Sequence, residues 1–125
     1  MVARRDIKWV GSSLADLKKF PEEVRRNVGF ALDQAQLGGK HADAKPLKGF
    51  GGASVLEIVE SFDGDAYRAV YTVKFEEAIY VLHAFQKKST KGIATSAQDI
   101  NLVKERLKRA EEAHKEWLSN QKESK

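Results

Sequence analysis

Arg68, His83 and Lys87 are the residues of this chain best suited to chemistry on a phosphate ester. All three lie in YRAVYTVKFEEAIYVLHAFQKKS, residues 67–89. An arginine holds a phosphate through two parallel N–H bonds. A histidine moves protons near neutral pH, although one inside VLHAF is more often a core histidine bonded to the backbone. Lys74, Lys88 and Lys91 stand in or beside the same stretch, and Lys45 and Lys48 precede it in KHADAKPLKGFGGA. Cations grouped in this way suit a nucleic-acid backbone. The plainer alternative is a solvated strand face with lysines guarding a sheet edge. Tyr67, Tyr71, Tyr80 and Phe85 could stack on bases or fill a core.

Other chemistries find no support in the residues. There is no cysteine, which excludes disulfides, thiolate nucleophiles and Cys-based zinc sites. His41, His83 and His114 have no metal-ligand spacing, so no metal is expected. No phosphate-binding glycine loop, dinucleotide fingerprint or nucleophile elbow occurs, and no cofactor is expected. The acids Asp63, Asp65, Glu76 and Glu77 fall in turns, giving little support to a two-metal nuclease. Catalysis on a polyanion would therefore rest on cations.

The elements that must position these side chains follow from periodicity. DIKWV, residues 6–10, reads as a short strand. A first helix follows GSS, with Ser13 and Asp16 as a capping-box pair. Pro21 opens a second helix, in which Val24, Val28, Ala31, Leu32 and Ala35 form one apolar face. LGG at 37–39 stops it. Residues 40–53 break the pattern and read as a basic loop. SVLEIVESF, AYRAVYTVKF and AIYVLHAFQKK read as three strands, with DGD at 63–65 as a hairpin turn. A last helix starts near Thr95 or Ser96, with Thr95 and Gln98 as a capping-box pair, and runs to about residue 120, leaving 121–125 as a frayed tail.

The order β-α-α-β-β-β-α predicts an α+β fold: a small antiparallel sheet with the helices packed on one face and the other left for solvent or ligand. Its 125 residues, 42% hydrophobic, make a single domain over 1–120. The formal net charge of +4 suits an anionic partner without naming one. No apolar run approaches the roughly 20 residues of a membrane-spanning helix. The basic N-terminus lacks the apolar core of a signal peptide, so a cytoplasmic protein is expected.

Several segments together resemble the RelE/ParE-superfamily toxins, in particular the phage-related HigB-like branch. They are LKKFPEEVRRNVGFALDQAQLGG, KPLKGFGG, VLEIVESFDGDAYRAVY, IYVLHAFQKKSTKG and DINLVKERLKRA. The resemblance covers roughly residues 5–110, and YRAVY followed by LHAFQKKS is its most specific part. It implies a RelE-like fold and metal-independent, ribosome-dependent cleavage of mRNA, held in check by a helix-turn-helix antitoxin. It assigns Arg68 to phosphate stabilisation and sets Lys87 and Lys88 at the basic end of the last strand. Lys45 and Lys48 fall in the loop where such toxins carry basic residues, and His83 falls in the LHxFxKK pattern. The sequence departs from the pattern after LE, where many relatives carry an arginine and Ile58 and Val59 stand here. That departure points to the alternative, a catalytically weakened relative that binds nucleic acid or protein.

Overall fold

The computed structural model describes residues 4–52, 54–88 and 95–123, with the side chains of Lys88 and Glu123 excepted. Its elements are β1 (Asp6–Trp9), α1 (Ser13–Lys18), α2 (Glu22–Gln36), β2 (Ala44–Pro46), β3 (Val55–Phe62), β4 (Asp65–Thr72), β5 (Ala78–Lys88) and α3 (Ala97–Glu123). The five strands form one sheet in the order β1-β5-β4-β3-β2. The β3–β4–β5 meander is the antiparallel centre expected from the sequence. Asp63 and Gly64 form its first turn with φ of 51° and 86°, the left-handed pair that a two-residue hairpin of matching twist requires.

Four features differ from the expected architecture. The sheet is mixed, because β1 runs parallel to β5. Part of the supposed loop is a strand: β2 pairs with β3 and sets Lys45 opposite Glu57. Pro46 is tolerated there because β2 is an edge strand. The helices cover both faces of the sheet. α1 and α2 pack on the face of Ile58, Tyr67, Ala69, Tyr71, Ile79 and Val81. α3 packs on the opposite face, where Val103 and Ala110 meet Val55, Val70, Tyr80 and Leu82. β4 and β5 carry apolar residues on both sides, and burying only one side would leave Val70, Tyr80 and Leu82 in water. α3 is also longer than expected and remains helical to Glu123.

A register shift between Val70 and Tyr71 marks a bulge in β5: Tyr71 pairs with Val81, but Val70 pairs with His83. The extra residue is Leu82. Beyond it the alternation of β5 is reversed, which brings His83, Phe85 and Lys87 onto the face of Arg68 and Val70. The carbonyl of Leu82 accepts a hydrogen bond from Arg106 Nη1 of α3 at 3.0 Å.

Local capping also differs in detail. Ser13 is buried and donates to the Val81 carbonyl at 3.1 Å, while Ser12 bonds Asp16. At α3 the cap is Ser96, whose Oγ accepts from Asp99 N at 3.1 Å and donates to Asp99 Oδ2 at 2.7 Å. Tyr71 is fully buried and its hydroxyl has no hydrogen-bond partner among the described residues. Burial raises its pKa to about 12. Tyr71→Phe removes this unsatisfied group at constant shape, so it is expected to leave stability unchanged or raise it by about 1 kcal/mol. Urea denaturation of the two proteins measures the difference.

Candidate nucleic-acid interface

Arg68 sits mid-strand in β4, facing α3, and is 7% exposed. Its Nη1 donates to Glu57 Oε1 at 3.2 Å and to Thr95 Oγ1 at 3.3 Å. The Thr95 hydroxyl in turn donates to Glu57 Oε2. Glu57 reaches Arg68 because Glu57 pairs with Val70 and Arg68 with Val59, which makes the two side chains diagonal neighbours on one face. This group forms one wall of a cavity of about 220 Å³ lined by Lys45, Pro46, Leu47, Lys48, Glu57, Arg68 and Thr95. Both loop lysines therefore share a cavity with Arg68. β2 causes this for Lys45, by fixing it across from Glu57.

His83 and Lys87 lie on the same sheet face, one strand over. Phe85 pairs with Arg68, so His83 and Lys87 are its diagonal neighbours, about 7–8 Å away along the backbone. Neither lines the cavity. Both meet Asp99 in the first turn of α3: His83 Nε2 is 2.9 Å from Oδ1, and Lys87 Nζ is 3.7 Å from Oδ2. Burial pushes the Asp99 carboxyl up. Hydrogen bonds from His83 and Ser96, with the charges of His83 and Lys87, outweigh it and hold the group below the usual Asp range. The imidazole stacks on Phe85 with ring centroids 4.4 Å apart, and its buried Nδ1 has no hydrogen-bond partner among the described residues.

The remaining residues singled out in the sequence fall elsewhere. Lys74 pairs with Glu111 of α3, away from the cavity. Lys88 ends β5 opposite Asp65. Lys91 lies outside the described residues. Tyr67 packs edge-on against Phe20, Tyr71 is core, and Tyr80 donates to or accepts from His114 Nδ1 at 3.0 Å. Tyr80 shares the sheet face of Arg68 but lies at its His114 end, and Phe85 stacks on His83. Val59, where an arginine was expected from the family pattern, pairs with Arg68 and is exposed. Among the described residues no group of His, Cys, Asp or Glu is arranged to hold a metal.

Glu57, Thr95 and Asp99 were missed in the sequence. Glu57 had a signal, since an acid in the middle of LEIVES is as unusual in a buried strand as Arg68 in YRAVY. Thr95 and Asp99 had none beyond capping, because only the docking of α3 brings them to the sheet.

Residues 15–108 match the family model of the phage-derived protein Gp49-like family (DUF891). No curated protein matches the sequence. Among solved structures, a double arginine-to-alanine mutant of the E. coli toxin RelE in the free state is similar, with a TM-score of 0.54 and 19% identity over 85% of this chain and 97% of that one. The fold is thus RelE-like. Among the described residues no helix is long and apolar enough to cross a membrane.

Proposed function

Because the chain belongs to the phage-derived Gp49-like family, of RelE/HigB type, we propose that it is the toxin of a type II toxin–antitoxin pair and cleaves mRNA, without a metal, on the ribosome. The observation that carries this reading is the cavity that joins three cations, Lys45, Lys48 and Arg68, to a single carboxylate, Glu57.

Cleavage by the neighbouring 2′-hydroxyl needs a base, positive charge at the phosphate and an acid. Glu57 is the one lining residue with a carboxylate, and it takes the 2′ proton as the O2′–P bond forms. Arg68 offsets the charge that grows on the phosphate oxygens. An ammonium of Lys45 or Lys48 gives its proton to O5′ as the P–O5′ bond breaks. The products are a 2′,3′-cyclic phosphate and a 5′-hydroxyl. His83 and Lys87 act from beside the cavity: Lys87 holds the backbone, and His83 orients the strand end. Lys88 and Lys91 follow Lys87 in the sequence and add to the positive charge offered to RNA. A helix-turn-helix antitoxin in the same cytoplasm neutralises the protein.

Induction without antitoxin is expected to stop growth within one or two doublings, and translated messages should acquire 5′-hydroxyl ends at new positions. Mapping those ends by ligation after phosphorylation tests the chemistry. Ends bearing 5′-phosphate would sink the mechanism. Binding to RNA with no cleavage at all would favour the alternative, a weakened relative whose Arg68 is already neutralised by Glu57.

A further inference from the structure

The cation face is covered by the chain itself. Thr95 reaches Glu57 and Arg68, and four residues later Asp99 reaches His83 and Lys87. Arg68 and Lys87 are diagonal neighbours across β4 and β5, so an RNA strand anchored at Arg68 and running toward Lys87 crosses the first turn of α3. Asp99 presents there what a phosphate would present: a negative group with two oxygens, one on an imidazole and one on an ammonium. Its orientation is fixed from behind by the Ser96 hydroxyl.

We propose that Asp99 is an internal stand-in for an RNA phosphate, and that the first turn of α3 latches the site until an RNA backbone displaces it from His83 and Lys87. This regulation rests on reading the cavity as an RNA site. The exchange is one anion for another, so Lys87 keeps an ion-pair partner and the His83 ring keeps a hydrogen-bond partner throughout. The latch lowers affinity for RNA at large, because every strand that binds must first displace Asp99. The far end of α3 stays docked through Lys74–Glu111 and through His114, which meets Glu77 and Tyr80.

The test uses a short 2′-O-methyl RNA, which cannot be cleaved, with binding followed by fluorescence anisotropy across a salt series. Asp99→Asn keeps the Ser96 cap and is expected to bind several-fold tighter than wild type. Its log–log salt slope should steepen by about 0.7 for each cation freed. Glu22→Gln makes the same change of net charge on the opposite face of the sheet, at a residue that among the described residues pairs with Arg26, and is expected to change affinity less than twofold. Equal effects of the two variants would overturn the latch while leaving RNA binding intact. Failure of every form to bind, wild type included, would remove the RNA reading and the latch together. A second measurement needs no variant. On saturation of wild type with this RNA, backbone amides at the start of α3 should exchange faster with deuterium while those near His114 do not change. Slower or unchanged exchange at that turn overturns the proposal even if Asp99→Asn does not fold.

Discussion

Arg68→Ala is expected to slow RNA cleavage by about 10²–10³-fold, the usual effect of losing one preorganised group that stabilises developing oxyanion charge. It should also destabilise the fold by about 3–5 kcal/mol, because the Glu57 carboxylate would be left buried without its cation. That second effect is a large fraction of the stability of a domain this size and would confuse any assay done on the single variant. The paired variant Arg68→Ala with Glu57→Ala separates them. Removing both charges recovers most of the stability, since a buried pair contributes little relative to neutral residues, but it leaves neither a base nor a phosphate ligand. Denaturation should therefore rank wild type near the double variant and above the single one. Cleavage should rank wild type above both. A folded double variant that cleaves at the wild-type rate would take Arg68 and Glu57 out of the mechanism.

This coupling explains what the sequence could and could not disclose about the site. Arg68 stood out because a cation between two tyrosines in the middle of a strand has no surface to occupy. Strand alternation then placed it opposite Tyr67 and Tyr71, and the structure agrees. Lys45 was visible as a basic loop residue, but its position across from Glu57 depends on β2, three residues long and containing a proline. Strand propensity is too weak to betray a segment of that kind; pairing with β3 makes it a strand. The lysine at 74 shows the opposite case. It alternates in step with Arg68 in the sequence, yet β4 ends at Thr72, and Lys74 lies beyond it, paired with Glu111 and away from the cavity.

The fold was legible where periodicity was strong and opaque where both faces of a strand are apolar. α2 belongs to the first kind, and the β3–β4 hairpin was legible from its DGD turn. In AIYVLHAF either face could be the buried one, so alternation could not assign His83. The answer, that both faces are buried and that the alternation reverses at Leu82, depends on α3 covering the second face. The same cause hid the covering of the site. A sheet with helices on one side would have left Arg68, His83 and Lys87 open to solvent, whereas the observed fold lays Thr95 and Asp99 across them.

The bulge therefore needs a fixed point, and Arg106 supplies it. Arg106→Ala is expected to cost about 3 kcal/mol, measured as the change in urea midpoint at constant slope. The buried guanidinium donates from Nη1 to the Leu82 carbonyl at 3.0 Å and from Nη2 to Ser12 Oγ at 3.1 Å. Truncation forfeits two charge-assisted bonds and leaves the Leu82 carbonyl unsatisfied in the core, at roughly 1–3 kcal/mol for the carbonyl alone. The guanidinium also lies against Gly11, where a Cβ would come within 3.0 Å of its carbon and where φ is +56°. Three elements thus converge on one side chain: the turn before α1, the bulge of β5 and the middle of α3. Arg106→Lys keeps the charge but cannot span Leu82 and Ser12 together, because a single ammonium replaces a forked donor. It should recover less than half of the loss. The distinguishing measurement is local. Without the fork, amide exchange should accelerate at residues 82–85 more than in α2, since the reversal of side-chain alternation at Leu82 loses its anchor. Uniform acceleration across the domain would mean that Arg106 serves general packing and that the bulge is held by β4 alone.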